Sequence, residues 1–414
     1  MNSAVSSYKE ISNIELYNLG INPNYRNQPI IVDSIEDLKK NPPMIVIGEA
    51  QLDTRFRQNN FIKEQKLTKR NNYIMALGVY QQLSFDPRTK TTILKPSKFK
   101  FKNVYKPYRG QDLSGKTLLV WRQGGIGDLL FISPSLKFLK EKYPSCKILF
   151  GCGAQYQSMV KQWSCIDEVI DLPFTADYLF RSDYHALFEG VIERTKQAEV
   201  DNSYVLFSKW LGLDIPIEKL LPEQSPSDEY IKKTQIVLNT WGIEENKFIL
   251  VQMRASSPIR TPRPEIWIKI INSLTSNGYK IILTDSEHQS NNIDMFIHKL
   301  NDKDKVFNFS RYSTELADTI ALTSLAKLAL GVDSSLVHIA ESVGVKSFSF
   351  FGPFLGHLRL STYRNAQWID AKCNCAPCFI HGQNVCKNSR SGYVNCFDNI
   401  DIDDVVIKIK ELMI

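Results

Sequence analysis

Two successive alternations of short apolar strands with helices constrain the fold of this chain more than any other feature. The first begins near residue 113 and the second near residue 247. Strands separated by helices of this length predict parallel sheets with right-handed crossovers. Two such series predict two doubly wound α/β domains. Such sheets bind ligands beyond the carboxyl ends of their strands, so the turns that follow strands are the candidate sites.

The individual elements are predicted from apolar runs and from the glycines and prolines that bound them. Between the two series lie helix candidates at 185–198 and 203–212 and a linker-like segment at 220–230. In the first series, strands are predicted at 117–122, 146–151 and 167–171, and helices at 128–142 and 155–163. In the second, strands are predicted at 247–253, 279–285, 305–310, 327–333 and 345–352, and helices at 264–278, 289–300, 313–325 and 334–343.

The length of 414 residues suits three regions. They are a basic N-terminal extension at 1–112, a first doubly wound domain at 113–235, and a second at 236–414 with a cysteine-rich loop at 373–396. No apolar run reaches the ~18 residues that span a bilayer. The N-terminus lacks the basic segment and apolar core of a secretory signal. We therefore expect a cytoplasmic protein without a transmembrane segment.

Positive charge is concentrated in one part of the extension. Residues 54–111 contain fourteen Lys or Arg and only two acids, Glu64 and Asp86, which is a net charge of +12. Because the whole chain carries +7, the rest sums to −5. This span is either a solvated basic face or a surface that meets a polyanion, such as nucleic acid, anionic lipid or a phosphorylated glycan.

The first candidate turn follows the strand at 117–122 and reads "RQGGIGDLL", with Gly124, Gly125, Gly127 and Asp128. Its glycine spacing differs from the G-x-G-x-x-G of dinucleotide-binding loops. A carboxylate at this helix start would also repel a phosphate. Asp128 therefore either caps the helix or serves as a general base toward a substrate hydroxyl, with the glycines allowing a close approach to the backbone.

A second turn, "QMRASSPIRTPRPEIW", follows the first strand of the second series. Its hydroxyls and guanidiniums suit a diphosphate, because arginine donates hydrogen bonds in a fork that matches phosphate oxygens. The alternative is a solvated loop. The candidate ligands are Arg254, Ser256, Ser257 and Arg260.

A third turn, "LGVDSSLVHIAESVG", places Asp333, Ser334, Ser335 and His338 where a buried strand meets a helix. The free N–H groups of that helix start form an anion site. Four polar side chains at one strand end favour contact with a ligand over a purely structural role. Glu287, after another strand, is a weaker candidate for a sugar hydroxyl.

Five of the eight cysteines fall between residues 373 and 396. Four of them have the spacing of a tetrahedral Zn²⁺ site. Reduced thiols in a packed loop, and disulfides, are the alternatives. The candidate zinc ligands are Cys375, Cys378, Cys386 and Cys396.

In combination and order, these motifs resemble glycosyltransferase family 9, the heptosyltransferases. "GGIGDLLFISPSL" resembles the N-terminal signature of that family. "RTPRPEIW" resembles its basic, proline and tryptophan segment, and "DSSLVHIAESVGVKSFSFFGP" its Asp-Thr-Gly-x-x-His segment with the following strand. The resemblance covers about 113–412. It implies the GT-B fold, in which two Rossmann-like domains face a cleft, the first binding the acceptor and the second the nucleotide-sugar.

The resemblance also implies inverting transfer that needs no metal or other cofactor for catalysis. Asp128 falls on the base that deprotonates the acceptor hydroxyl, and Arg260 falls where the family places a lysine on the diphosphate. Ser334 and Ser335 replace Thr-Gly, so a side chain stands where the family has none.

Three functions fit these features. The first is transfer from an ADP-heptose-like donor to an anionic acceptor such as a lipopolysaccharide-type glycan, with peripheral membrane contact through the basic extension. The second is a phage-type DNA glycosyltransferase that acts on a hydroxylated base. The third is a nucleotide-sugar-binding protein without activity. A base at position 128 argues against the third, because a pure binder has no need of one.

Overall fold

The computed structural model describes residues 45–56, 65–76, 80, 83–86, 89–99, 104–189, 191–192, 196–378, 386 and 394–414. The chain forms two compact units, Met1–Pro216 and Ile217–Ile414. The division lies earlier than the predicted boundary after residue 235, which falls inside a helix of the second unit.

An antiparallel sheet occupies the described part of the N-terminal extension. Its strand order is β11-β4-β1-β7, and β11, Phe174–Thr175, comes from beyond the predicted boundary at residue 112. Ile47 and Ile74 of this sheet pack in one core with Trp121 and Leu149. Residues on both sides of that boundary therefore share one hydrophobic core. The other strands of this sheet are β1 Ile45–Ala50, β4 Asn72–Ala76 and β7 Leu94–Pro96. Two separate two-stranded sheets pair β2 Thr54–Phe56 with β3 Gln65–Leu67, and β5 Phe85–Asp86 with β6 Thr91–Thr92.

A parallel sheet with strand order β10-β9-β8-β12 forms the rest of the first unit. The three strands predicted here are confirmed within two residues. The predicted helix at 185–198 is wrong: Tyr184–Leu187 is a strand beside Thr117–Trp121, where its apolar side chains are buried. The elements are β8 Thr117–Trp121, α1 Ile126–Lys142, β9 Lys147–Cys152, α2 Gln157–Val160, β10 Glu168–Asp171, α3 Asp177–Arg181, β12 Tyr184–Leu187 and α4 Ser203–Trp210.

The described residues of the second unit contain one parallel sheet of six strands, in the order β15-β14-β13-β16-β17-β18. The predicted strands are confirmed, and the sequence reading missed four elements: helices 228–240, 357–360 and 402–413, and strand 366–370. The strands are β13 Phe248–Val251, β14 Lys280–Leu283, β15 Val306–Asn308, β16 Leu328–Val332, β17 Lys346–Phe351 and β18 Ala366–Asp370. The helices are α5 Asp228–Thr240, α6 Pro264–Ser276, α7 Ser290–Ile297, α8 Leu316–Ser324, α9 Ser335–Ser342, α10 His357–Leu360 and α11 Ile402–Met413.

Both faces of this sheet are covered by apolar helices. Trp267 and Ile270 of α6 and Val405 of α11 lie on one side with the buried side chains of β13 and β14. The other side packs against α5 and α8 through residues such as Leu238 and Leu322. Near-continuous apolar strands are what a sheet buried on both faces requires. In the described part of the chain, no helix is both long and apolar enough to cross a membrane.

Candidate functional site

Each unit has a point where the order of its parallel strands reverses. In the first sheet this point lies between β8 and β12, and in the second between β13 and β16. The helices that follow two such strands leave from opposite faces, which opens a crevice at the carboxyl ends. The residues that directly follow these four strands are therefore the structural candidates.

Asp128 lies at the first of these points, in the opening turn of α1. The helix starts after Gly125, whose N–H donates a hydrogen bond to Asp128 Oδ2 (3.2 Å). The interpretation of Asp128 as a helix cap is therefore confirmed. Its side chain is still 22% exposed, so capping does not withdraw the carboxylate from solvent. The two roles are compatible, since one oxygen of a carboxylate can be fixed while the group accepts a proton.

Arg122 and Glu189 complete this site, and the sequence reading missed both. The Arg122 side chain is fully buried and donates from Nη2 to Asp128 Oδ2 (2.8 Å). Its Nη1 donates to the carbonyl of Phe188 (2.6 Å) and lies 3.8 Å from Glu189 Oε2. Glu189 in turn accepts a hydrogen bond from the backbone N–H of Gln123. The first residue after β8 and the second after β12 thus meet at the strand reversal.

Gly124 makes the close approach of Arg122 and Asp128 feasible. An alanine Cβ at position 124 would lie 2.5 Å from Arg122 Nε and 2.7 Å from Asp128 Oδ2. Around Gly125 such an atom would meet nothing within 4 Å. Gly127 lies within the first turn of α1. Of the three predicted glycines, Gly124 therefore has the clearest steric requirement.

Tyr156 lies at the same end of the sheet, in the 3-10 turn that follows β9. Burial raises the pKa of its hydroxyl, a bond to Gln155 lowers that pKa, and the charge of Asp128 raises it further. Arg122 acts on the same hydroxyl in the opposite direction. Tyr156 is thus a third residue near Asp128 that the sequence did not reveal.

Arg260 dominates the reversal point of the second sheet. Its Nη1 donates to the backbone carbonyl of Asp333 (2.9 Å) and lies 3.6 Å from Asp333 Oδ2. Its Nη2 donates to Ser256 Oγ (2.8 Å). The Arg260 side chain remains 25% exposed, whereas that of Asp333 is 7% exposed. The structure therefore brings together three of the predicted donor ligands, and the cation stays accessible while its carboxylate partner is buried.

Ser334 and Ser335 stand at the start of α9. Ser334 is the residue before the helix, and its hydroxyl donates to Gln252 Oε1 (2.8 Å). Ser335 is the first helical residue. Gln252, which the sequence reading did not select, follows β13 and so ties the two central strand ends together.

The remaining candidates in the second unit lie on the loops that follow β13 and β14. Arg254 donates to Gln289, which links the loop after β13 to the loop after β14. Ser257 precedes the 3-10 turn that carries Arg260. Glu287 is exposed and opens the 3-10 turn after β14. These loops therefore converge on the same edge of the sheet.

His338 is buried, with 4% of its surface exposed. Its Nδ1 lies 2.6 Å from the hydroxyl of Tyr363, and the two rings meet edge to face. The packing of α9 places this side chain inside the unit, although it lies only one turn beyond Ser334. In this structure His338 therefore packs inside the unit next to the site and is not exposed to a ligand.

The cysteine-rich loop brings Cys373, Cys375 and Cys386 near Cys396. Burial raises the pKa of Cys396 to about 12, and the nearby thiols of Cys373, Cys375 and Cys386 contribute to that rise. The Sγ atoms of Cys373 and Cys375 are 3.5 Å apart. Within the described residues, no three His, Cys, Asp or Glu side chains are arranged to hold a metal ion.

Comparison by sequence identifies one family. The model of glycosyltransferase family 9 (heptosyltransferase) matches residues 177–387, about half of the chain. The matched range includes the reversal point of the second sheet. It begins at residue 177, so Asp128 lies outside it. No curated protein matches the chain.

Comparison by structure identifies related folds. A family 9 glycosyl transferase from Veillonella parvula DSM 2008 has a TM-score of 0.57 at 14% identity, covering 73% of this chain and 98% of that one. ADP-heptose lps heptosyltransferase II from E. coli has a TM-score of 0.53 at 15% identity, covering 72% and 98%. At these identities the likeness shows the fold.

A third solved structure matches more of the chain. TibC, a dodecameric iron-containing glycosyltransferase from enterotoxigenic E. coli H10407, has a TM-score of 0.50 at 13% identity and covers 89% of this chain and 95% of that one. TibC has also been solved in complex with ADP-D-beta-D-heptose. Residues 113–414 make up less than three quarters of the chain, so this likeness extends into the first 112 residues.

Proposed function

The chain belongs to glycosyltransferase family 9, and from that membership we propose that it transfers a heptose-like sugar from a nucleoside diphosphate to an acceptor hydroxyl, with Asp128 as the base. Its fold is GT-B, and it is a glycosyltransferase. The proposal that Asp128 acts as the base and that the second unit binds the donor rests on the contrast between the two strand reversals. One presents a fixed, partly exposed carboxylate and the other a partly exposed guanidinium.

Asp128 suits the abstraction of a proton from a hydroxyl. Arg122 and the Gly125 N–H hold one of its oxygens, so the carboxylate has a defined direction. A positioned base contributes about 10²–10⁴-fold to proton transfer. A hydroxyl activated in this way attacks the anomeric carbon on the face opposite the leaving diphosphate. The product then has inverted configuration.

Arg260 and the start of α9 suit the leaving group. The diphosphate gains negative charge as the glycosidic bond breaks, and fixed positive charge stabilises that transition state. Arg260 supplies a cation, and the positive end of α9 carries two hydroxyls, that of Ser334 just before the helix and that of Ser335 at its first position. These groups supply the role that a divalent cation has in other transferases, and we therefore propose metal-independent transfer.

The proposed donor is ADP-heptose or a close analogue, by likeness to TibC. A thermal-shift screen with ADP-D-beta-D-heptose and with ADP-, GDP-, UDP- and CDP-sugars tests this proposal. We expect the largest stabilisation with the ADP-heptose, because a ligand that binds only the folded state raises its stability. Stabilisation by none of these donors, together with no release of nucleotide, would contradict the proposed function.

The acceptor that we propose is an anionic glycan, which the basic extension would hold. Eight Lys or Arg side chains are exposed in the described part of residues 54–111, whereas the one described acid of that span, Asp86, is half-buried. This density of positive charge also favours the second candidate, a hydroxylated base in DNA. The exposed cations are Arg55, Lys66, Lys69, Arg70, Lys90, Lys95, Lys98 and Lys106.

Salt dependence separates the two acceptors. DNA binding releases counterions, so the logarithm of affinity should fall against the logarithm of salt with a slope of about −0.9 per phosphate contacted. We propose to measure this with the full chain and with charge-reversed Lys66→Glu and Lys69→Glu. A steep slope that these variants reduce would favour DNA. Absence of DNA binding at low salt, with transfer to a lipopolysaccharide acceptor, would favour the glycan.

The described thiols of the cysteine-rich loop are not already arranged as a metal site. We propose that they rearrange to bind one structural metal ion, because thiolates are soft ligands that suit zinc and iron. The related TibC contains iron. Cys375, Cys386 and Cys396 belong both to the predicted set and to the set that lies together. The fourth ligand is then Cys378 by spacing or Cys373 by proximity.

Metal analysis of the full-length protein, purified without chelator, tests this proposal. About one equivalent of zinc or iron is expected, and its loss should lower thermal stability. Cys373→Ser and Cys378→Ser form a matched pair, and only the variant that removes a ligand should lose the metal. Metal-free wild-type protein of full stability would indicate packed thiols instead.

A further inference from the structure

Arg122 lies between two carboxylates of different exposure. Its Nη2 binds Asp128 Oδ2 at 2.8 Å, and its Nη1 lies 3.8 Å from Glu189 Oε2. The Asp128 side chain is 22% exposed, that of Glu189 only 10%, and that of Arg122 not at all. One buried cation therefore lies close to two anions, and Asp128 is the more exposed of the two.

A base held by a single buried arginine has a built-in disadvantage. The cation favours the ionised carboxylate, which makes it a weaker acceptor of protons. Protonation would also leave the cation buried and uncompensated, and breaking a buried ion pair in this way is strongly destabilising. Glu189 removes both problems, because Arg122 keeps an anionic partner when Asp128 takes up a proton.

We propose that Arg122 and Glu189 are positioning residues that together set the direction and the basicity of Asp128. This inference rests on the proposed function, in which Asp128 accepts the proton of the acceptor hydroxyl. Arg122 fixes the carboxylate and lowers its proton affinity, and Glu189 offsets part of that effect. Neither residue needs to touch the substrate.

The other charged or titratable groups around Asp128 are consistent with this division of roles. Tyr156, after β9, is close enough for its hydroxyl to feel the charges of both Asp128 and Arg122. The N-terminus of α1 adds partial positive charge and favours the ionised carboxylate. Glu189, a second carboxylate near Arg122, opposes these effects.

Opposite shifts in pH dependence test the proposal. Glu189→Gln removes the offsetting anion, so the pKa of Asp128 should fall and the acid limb of kcat/KM should move to lower pH, with a lower plateau from the weaker base. Arg122→Gln removes the cation, so the acid limb should move to higher pH, by roughly 1 unit or more for the loss of a direct ionic partner. Arg122→Lys keeps the charge and should restore most of the wild-type profile.

Two readouts are required because the acceptor is unidentified. The first is ADP release from ADP-D-beta-D-heptose with water as the acceptor, measured across pH. The second uses no substrate: carbon NMR of protein labelled at aspartate carboxyls, in which the Asp128 signal is the one lost in Asp128→Asn. The same signal then reports the titration midpoint of Asp128 in the other variants.

Midpoints that move down in Glu189→Gln and up in Arg122→Gln support the inference. Unchanged midpoints, or shifts in the same direction, overturn it. Glu189→Gln is close to isosteric, so it decides the matter even if Arg122→Gln fails to fold. Failure of the proposed function is a separate result: Asp128→Asn would then keep its rate of ADP release whatever the titration shows.

Discussion

The strand reversals of the two units have the same construction and opposite electrostatic character. In each sheet the first strand lies between the second and the fourth, so the same three turns converge. In the first unit the exposed group is the carboxylate of Asp128, and its arginine partner is buried. In the second unit the exposed group is Arg260, and its aspartate partner is buried.

In both units the fold places polar side chains at the strand reversal, but the residues of each turn decide which group is exposed there. An Arg–Asp pair occurs at both positions, yet the exposed member differs. A partly exposed carboxylate suits a proton, and a partly exposed guanidinium suits a phosphate. Under the proposed function, the partner of each pair that stays exposed sets the role of its unit.

The largest effect is expected from removing the exposed carboxylate. Asp128→Asn keeps the size of the side chain and removes its basicity, so turnover should fall by roughly 10²–10⁴ with little change in donor affinity. Steady-state rates and calorimetric affinity for the donor check both parts. Asp177→Asn is the control, since Asp177 also lies in the first turn of a helix of the first unit. Near wild-type turnover in Asp128→Asn would show that Asp128 is not the base.

Arg260→Ala should weaken nucleotide-sugar binding. A hydrogen bond to a charged group contributes about 1.5–3 kcal/mol, which corresponds to an affinity loss of roughly 10–150-fold. Arg263→Ala is a matched control, because Arg263 lies nearby in sequence and binds Asp398 (2.6 Å). Calorimetry should show a loss only in the first variant, and equal affinities would contradict the assignment of Arg260.

A smaller effect is expected from crowding the first reversal. In Gly124→Ala the new methyl group meets Arg122 and Asp128, and such overpacking costs about 1–3 kcal/mol of stability. Because the ion pair must move, turnover should fall as well. Gly125→Ala has open space around its Cβ and should behave like wild type. Denaturant unfolding and turnover rates should differ between the two variants. Equal unfolding free energies and rates would contradict the proposed steric role of Gly124.

The smallest effect is expected from changing the hydrogen bond between Tyr363 and the buried His338. Tyr363→Phe removes the hydroxyl that bonds His338, at a cost of about 1 kcal/mol in unfolding free energy. Donor affinity should not change, because His338 is buried rather than exposed to a ligand. A clear loss of donor affinity in this variant would instead support the sequence-based assignment of His338 as a donor ligand.

Local features of the fold could be predicted because their causes lie within a few neighbouring residues. The apolar runs at 117–121 and 328–332 identify buried strands, and the glycine turn before Asp128 identifies a helix start. The segment Tyr184–Leu187 misled the prediction, because a short apolar run fits a helix or a buried strand equally well until its partner strand is known.

The two alternating series, the turns that follow their strands, and the candidates Asp128 and Arg260 could all be read from local sequence patterns. Tertiary structure alone decided which member of each Arg–Asp pair is exposed. It also brought Glu189 to Gln123 from 66 residues away and Asp333 to Arg260 from 73. Burial and pairing depend on contacts between strands that are distant in the chain, and no local pattern encodes such contacts.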